Sequence, residues 1–129
     1  TVDSHVAELG TTVGEALLRP HKTYLHSVSP LFEGGRIKGM AHITGGGLTE
    51  NVPRTLPVGR TPRLDPASWN VPPLFTWLQQ AGGVPDAEMF RAFNMGVGFV
   101  IVCAPEHVSS LLSALRASGE AAWPLGEVV

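Results

Sequence analysis

The sequence predicts an α+β domain in which helices cover a mixed β-sheet. Two apolar runs, at 37–43 and 97–104, are typical of strands, and other stretches space their apolar residues as amphipathic helices do. The last third of the chain has the order strand, helix, strand, which favours a βαβ-type crossover in the C-terminal portion. Residues 1–129 fit one domain of ordinary size and are too few for two.

The composition is that of a folded chain with many loops. Hydrophobic residues make up 43% and charged residues 16%, which excludes a disordered chain. The 15 glycines and 11 prolines indicate many turns. Neither a bilayer-spanning apolar run nor a signal peptide is evident, so we expect a cytoplasmic protein without a membrane partner. The single cysteine, Cys103, excludes an internal disulfide and is expected to be a buried, inert thiol.

The N-terminal third predicts one long helix and one strand. Residues 1–11 follow neither period and are expected to be extended or poorly ordered, whereas 14–18 can form one helical turn. Pro20 suits the first position of a helix that continues to residue 32 with one apolar face. Pro30 is expected to bend its last turn. Glycines on both sides bound a predicted strand at 37–43.

The middle of the chain predicts three helices and a short edge strand. A short helix is expected at 48–52. Three prolines around 60–64 restrict any strand there to a sheet edge. Two prolines begin a helix at 72–81, and acidic residues at its start favour another at 86–93.

The C-terminal third shows the clearest pattern. The apolar run at 97–104 predicts a strand covered on both faces. Pro105 begins a helix with one leucine-rich stripe, and Gly119 ends it. A final strand, interrupted by Pro124 and Gly126, is expected within 121–129.

The net charge of −2 conceals a cationic segment at 36–64. Only one acid, Glu50, lies there, beside five bases: Arg36, Lys38, Arg54, Arg60 and Arg63. A polynucleotide-binding protein usually has a high isoelectric point, and this sequence has one of about 6.2. The segment therefore favours a small phosphorylated ligand over nucleic acid, and scattered solvated charge is the equal alternative.

The most informative motif is a glycine triplet between the predicted strand at 37–43 and the helix at 48–52. Gly45, Gly46 and Gly47 can bring backbone N–H groups close to an anion, as loops before helices do. Thr44 precedes the triplet, and no lysine follows it, so it is not a Walker loop. A tight turn without a ligand is the alternative.

Other polar residues have both functional and structural interpretations. Asn94 precedes two alternating glycines and could orient a substrate or make a turn, and the turn is favoured. His42 lies beside the glycine triplet as a donor or proton carrier, or as a structural histidine. No histidine spacing is typical of a zinc site, so no metal ligand is predicted. The aromatic residues are expected to pack the core: Trp69, Phe75 and Trp77.

Taken in order, these segments resemble the phosphoribosylformylglycinamidine cyclo-ligase family, also called aminoimidazole ribonucleotide synthetases. The segments are 14–18 with Pro20 and Tyr24, 41–54, Trp69 with 72–79, 89–91, and 93–99. The similarity extends from about residue 12 to residue 129. Selenophosphate synthetases, thiamin-monophosphate kinases and hydrogenase-maturation proteins share the fold, but the tryptophan-rich stretch and 93–99 are similar to the cyclo-ligases themselves.

The resemblance implies that residues 1–129 are most of the C-terminal domain of a two-domain enzyme of purine biosynthesis. Such a ligase uses ATP and Mg²⁺, bound mainly by an N-terminal domain absent here, and acts as a homodimer. It activates the formyl amide oxygen of formylglycinamidine ribonucleotide as a phosphorylated intermediate, and an internal nitrogen then closes the imidazole ring to give aminoimidazole ribonucleotide. This chemistry demands phosphate binding and exclusion of water.

The glycine loop and the local positive charge lead us to expect that this chain forms one wall of the cleft between the two domains. We expect the N–H groups of Gly45, Gly46 and Gly47, with Thr44, to hold a phosphate of substrate or nucleotide. Asn51, Arg54 and Asn94 are expected to orient the ribonucleotide, and His42 is a further candidate. No catalytic residue is assigned, and the chain alone is expected to be inactive. A related ATP-dependent phosphoryl-transfer enzyme and a non-catalytic binding module of the same fold remain alternatives.

Overall fold

Every strand in the structure, a computed structural model that describes residues 1–129, pairs antiparallel with one other strand. The strands are β1 (His5–Val6), β2 (Thr11–Thr12), β3 (Ile37–His42), β4 (Pro62–Leu64), β5 (Phe99–Cys103) and β6 (Gly126–Val128). The α-helices are α1 (Val13–Leu17), α2 (Leu25–Val28), α3 (Gly47–Asn51), α4 (Pro73–Gly82), α5 (Asp86–Ala92) and α6 (Val108–Ala117). The predicted α+β class is confirmed.

The pairing of the strands corrects the predicted topology. Three two-stranded ladders replace one mixed sheet: β1 with β2, β3 with β5, and β4 with β6. The C-terminal order of strand, helix and strand is present, but β5 and β6 belong to different ladders and form no βαβ unit. The reason is that the final segment finds its backbone partners at 61–65. Asp65 N donates to Leu125 O at 2.9 Å, and Thr61 and Val129 exchange two hydrogen bonds of 2.9 Å.

The β3–β5 ladder carries the functional region. Its register places Met40 opposite Ile101 and His42 opposite Phe99. All five residues of β5 are only half-buried, so the expectation of a strand covered on both faces is wrong for this chain. The ladder therefore retains a partly open face.

The N-terminal segment differs from expectation in two places. Residues 1–11, expected to be extended or poorly ordered, include β1 and a 3-10 turn that leads into β2. Thr12 and Glu15 then form a capping box on α1, with both backbone-to-side-chain hydrogen bonds at 3.2 Å. The helix expected from Pro20 is wrong, because α2 begins only at Leu25 and gives way to a 3-10 turn around Pro30. Side chains from 21–24 instead reach partners in other elements.

A small apolar cluster holds β3, α3 and the turn before β5 together. Its buried members are Ala41, Ile43, Leu48, Val52 and Val97. Trp69 packs against this cluster, as predicted, together with Trp123. Ile43, at 1% exposure, anchors the end of β3 and so fixes where the glycine triplet begins.

The surface is large for the mass of the chain. Its accessible area is 8113 Å². A compact monomer of 13.7 kDa exposes about 6,600 Å². Several large apolar side chains contribute to the excess, including Leu17, Leu18, Leu25 and Phe32, each at least half exposed. The chain therefore exposes more surface than a compact monomer of its size, and large apolar side chains are part of that surface.

Candidate functional site

A cleft of about 260 Å³ lies at the end of β3, between Thr44, which precedes the glycine triplet, and the α4–α5 pair. Its lining combines polar groups with an aromatic floor: His21, Ile43, Thr44, Phe75, Ala92, Phe93 and Asn94. Phe75 and Phe93 contact each other there, with ring centroids 5.9 Å apart. Two predicted site residues, Thr44 and Asn94, thus meet in one cleft.

The glycine triplet turns sharply from β3 into α3. Gly46 and Gly47 have φ angles of 96° and 55°, in the left-handed region that glycine adopts without strain. Gly47 N donates to Thr44 O at 2.9 Å, which closes the turn. The N–H groups of Gly45 and Gly46 donate to no carbonyl or side chain, and Gly45 is exposed. These two donors are free to bind an anion.

Gly47 is also required because α5 lies directly against it. A Cβ at this position would overlap the carbonyl oxygen of Phe90 and lie 2.7 Å from that of Phe93. Nothing lies within 4 Å of a Cβ built on Gly45. The three glycines therefore differ in role: Gly47 serves packing, and Gly45 keeps an open surface at the loop.

Asn51 holds the glycine loop from beneath. Its side chain is buried, and Nδ2 donates to the carbonyl oxygens of Thr44, Gly45 and Gly47 at 3.3, 3.2 and 2.8 Å. Because both amide hydrogens face the loop, the structure gives Asn51 a positioning role in place of direct ligand contact. Sequence reasoning found the residue but expected it to orient the ribonucleotide.

Arg54 lies in the 3-10 turn that follows α3, within a network of charges. Its Nη2 is 3.1 Å from Glu50 Oε2, and its Nη1 donates to Asn51 Oδ1 at 3.4 Å. Arg91, which sequence reasoning did not assign to the site, reaches the other Glu50 oxygen from α5 at 3.2 Å. The hydrogen bond to Glu50, followed by the charge of Glu88, raises the pKa of Arg91 above its usual value. Glu50 thus joins α3 to α5 next to the loop.

Asn94 makes the turn that sequence analysis favoured. Its Oδ1 accepts a hydrogen bond of 3.0 Å from Gly96 N, while its amide NH₂ donates to no protein group. Met95, the only non-glycine residue with positive φ, lies in the same turn with φ 51°. Trp69 Nε1 donates to Met95 O at 2.9 Å and stabilises this conformation. Asn94 can therefore keep its amide donors directed to the cleft while its oxygen shapes the backbone.

The two alternating glycines before β5 make room for other parts of this chain. A Cβ on Gly96 would overlap the ring of Pro72, and one on Gly98 would overlap the Tyr24 hydroxyl. Burial raises the pKa of the Tyr24 phenol. The space beside these two glycines is thus occupied by Pro72 and Tyr24.

His42 is part of an exposed imidazole pair. Its Nε2 lies 2.8 Å from His21 Nε2, and one of these nitrogens donates to the other. Glu120 fixes the segment that carries His21, because its carboxylate accepts from Lys22 Nζ and Ser27 Oγ, each at 2.5 Å. These hydrogen bonds lower the pKa of Glu120. Sequence reasoning could not find His21, since its partner is 21 positions away.

The cationic segment does not form a single patch. Arg63 pairs with Glu127 and Arg54 with Glu50, whereas Arg36, Lys38 and Arg60 form no ion pair. Charge counting along the sequence overstated the positive charge, because Glu127 comes from a distant strand.

No three histidine, cysteine, aspartate or glutamate side chains lie together as metal ligands would. Glu50, the acid nearest the loop, already binds two arginines. The residues present do not fit a Mg²⁺ site. By contrast, the free N–H groups of Gly45 and Gly46 fit a phosphate oxygen of a nucleotide or a substrate.

Comparison with known proteins identifies the family. The family model described as AIR synthase related protein, C-terminal domain, matches residues 2–129. The chain belongs to this family. It is 52% identical over 126 residues to a protein from Desulfitobacterium hafniense named phosphoribosylformylglycinamidine cyclo-ligase. Proteins of that name from Pseudothermotoga lettingae and Chromobacterium violaceum are 46% and 47% identical over 128 and 117 residues.

These alignments cover 91–99% of this chain but only 34–38% of the three relatives. The family model thus matches almost the whole of this AIR synthase-related chain. The chain spans little more than a third of the length of these relatives. None of its helices has the length and apolar character needed to cross a membrane.

Proposed function

We propose that this chain supplies one wall of the active-site cleft of an ATP-dependent phosphoribosylformylglycinamidine cyclo-ligase. In that reaction formylglycinamidine ribonucleotide closes to aminoimidazole ribonucleotide, a step of purine biosynthesis in the cytoplasm. The observation that carries the proposal is the exposed glycine loop, with free N–H groups on Gly45 and Gly46, at the edge of a cleft. Relatives that bear the ligase name, at 46–52% identity, support it.

The side chains of this wall have separable roles in the proposal. The N–H groups of Gly45 and Gly46 hold one phosphate, and the Thr44 hydroxyl and Asn94 amide contact the ribonucleotide from the cleft lining. Asn51 keeps the loop in shape from beneath. Arg54 and Arg91, each bound to Glu50, add positive charge beside the loop. His42 is hydrogen-bonded to His21, which lines the cleft.

ATP would supply the phosphoryl group that turns the formyl amide oxygen into a leaving group. The chain's own contribution is to fix the ribonucleotide and to exclude water through the aromatic floor at Phe75 and Phe93. We propose that Mg²⁺ and most of the ATP site belong to the N-terminal domain, because this chain offers no set of metal ligands.

The exposed apolar surface supports a position between domains or subunits. Leu18, at 83% exposure, and Leu25, at 64%, would each be covered by a second domain packed on this side. We propose that the same enzyme is a homodimer and that this chain contacts its own N-terminal domain.

A chimera tests the proposal directly. The matching segment of the Desulfitobacterium hafniense relative is replaced by this chain, and ATP-dependent ring closure and ADP release are measured. We expect the chimera to be active and the chain alone to be inactive. Arg54→Gln in the chimera should weaken ribonucleotide binding or turnover, and unchanged values for both would remove Arg54 from the site.

The chimera also separates the alternatives. A folded chimera that binds the relative's N-terminal domain but closes no ring would identify a binding module. Phosphorylation of a different substrate without ring closure would identify a related phosphoryl-transfer enzyme.

A further inference from the structure

The strongest unassigned feature is the imidazole pair formed by His21, which lines the cleft, and His42, which is hydrogen-bonded to it. We propose that His21 and His42 act together as a proton-carrying anion site, so that a phosphate at the glycine loop is also held by one shared positive charge. This inference rests on the proposed function, because it adds residues to the phosphate site proposed there.

The position of the pair follows from the strand. Ile43 points into the core at 1% exposure, and residues alternate along a strand, so His42 and Thr44 lie on the opposite face together. His21 and Thr44 both line the cleft. The imidazole pair therefore adjoins the loop whose N–H groups are free.

The two rings are held in place by aromatic neighbours. The Tyr24 ring lies 5.9 Å from the His21 ring and 6.2 Å from the His42 ring, measured between centroids. Phe99, opposite His42 in the β3–β5 register, lies 6.3 Å from His42. Lys22, bound to Glu120, secures the chain next to His21. The pair is thus preorganised rather than a chance approach of two surface side chains.

The chemistry of the pair favours one added proton. In the neutral pair an N–H on one Nε2 bonds to the other Nε2 at 2.8 Å. A proton added to the outer nitrogen of the donor ring gives an imidazolium, and the bond becomes a stronger, charge-assisted one. A second proton would place two positive charges side by side and remove the acceptor. The pair is therefore suited to carry a single positive charge.

No neighbouring acid neutralises a positive charge on the imidazole pair, so that charge is available to a ligand. Lys22, already paired with Glu120, and the Tyr24 phenol are the titratable groups on the segment of His21. The facing residues from β5, α4 and the turn after α5 are uncharged: Phe99, Phe75, Phe93 and Asn94. No carboxylate forms an ion pair with His21 or His42. A dianion in the cleft would stabilise the protonated pair, and protonation would in turn strengthen anion binding.

The test is an NMR titration of the 129-residue chain with sulfate at pH 6 and pH 8 at constant ionic strength, since sulfate does not titrate in this range. The readouts are the amide signals of Gly45 and Gly46 and the imidazole Cε1–H signals of His21 and His42. We expect both sets to shift, with a sulfate dissociation constant about fivefold higher at pH 8, as one exposed charge contact gives.

Variants locate the effect. His21→Gln and His42→Gln should each abolish the pH dependence while the loop amides still respond. His107→Gln, in the 3-10 turn after β5, should retain it. Loop shifts without imidazole shifts, or a pH dependence that survives His21→Gln, would overturn the inference and leave the proposed loop site standing. Imidazole shifts alone would also overturn the inference, because the anion would then not be held at the loop, and they would remove the loop from the proposed phosphate site. No shift in either set would overturn both.

Discussion

Replacing Asn51 tests whether one buried amide holds the glycine loop in shape. Asn51→Ala removes hydrogen bonds to the carbonyl oxygens of Thr44, Gly45 and Gly47. Thr44 O also accepts from Gly47 N, so it keeps a partner, and the exposed Gly45 carbonyl can turn to water. The main loss is the 2.8 Å bond to Gly47, in a buried position. A buried hydrogen bond of this kind and the truncated side chain together give about 2 kcal/mol of destabilisation.

Urea unfolding followed by tryptophan fluorescence measures this loss. With a slope of about 2 kcal/mol per M, the midpoint should fall by about 1 M while the slope stays constant. Asn70→Ala is the matched control, because Asn70 is exposed and its side chain forms no hydrogen bond, so its midpoint should hardly change.

Asn51→Asp sharpens the result, since it keeps the shape of the side chain but replaces two donors by a carboxylate. The negative charge would face three carbonyl oxygens at 2.8–3.3 Å, so this variant should be less stable than Asn51→Ala at pH 7. Lowering the pH should recover part of the loss as the carboxylate takes up a proton. If Asn51→Ala matched Asn70→Ala within experimental error, the loop would not depend on this amide.

Three further predictions concern packing and charge. Gly47→Ala should destabilise the chain by about 3 kcal/mol or more, because its Cβ meets the backbone of α5, whereas Gly45→Ala should be nearly neutral; equal urea midpoints for both would contradict the geometry. Glu120→Gln should cost about 1 kcal/mol at pH 7, because Lys22 loses its partner. Since the native state lowers the pKa of Glu120, this difference should be present above the usual carboxyl pKa and vanish as the pH falls through the lowered value; a difference that persists at pH 2 would refute the role of its charge. Burial and Glu106 raise the pKa of the Cys103 thiol, so a thiol reagent at pH 8 should label it more slowly than free cysteine, and labelling at the free rate would contradict this.

Local sequence patterns were enough to find most elements of this fold. The glycine-bounded strand, the Pro-initiated α4 and the leucine stripe of α6 depend on neighbours within a few residues, so their signals are contained in short windows. The strand pairing is not local. Whether β6 joins β4 or β5 depends on backbone partners some 60 residues away, and apolar periodicity carries no information about them.

The segment at 20–24 shows the same limit more sharply. Pro20 and the apolar spacing favour a helix. Instead, His21 bonds to His42 and Lys22 pairs with Glu120, while the Tyr24 hydroxyl packs against Gly98. A helix would direct these side chains differently and lose all three contacts. Tertiary contacts therefore override local propensity here.

The sequence predicted which residues lie near the candidate site better than it predicted what each side chain does there. Thr44 and Asn94 were expected at the site, and both line one cleft, whereas the glycine triplet follows Thr44 without lining the cleft itself. Whether Asn51 faces a ligand or the loop beneath it depends on the direction of its side chain, which spacing does not specify. The role of a polar residue next to a glycine loop thus requires coordinates.

Two turns beside the cleft are stabilised in the same way. Each has backbone with positive φ, and each accepts a hydrogen bond from one side chain packed behind it. Asn51 donates to the loop at Gly47, and Trp69 Nε1 donates to Met95 O in the turn that bears Asn94. A methionine with positive φ costs about 1–2 kcal/mol, so that turn persists only because packing and this hydrogen bond stabilise it. Turns fixed before a ligand arrives need no ordering on binding, which leaves more of the interaction energy for holding the phosphate. Rigidity of the two turns, rather than any one contact to the anion, is therefore what the fold contributes to the proposed site.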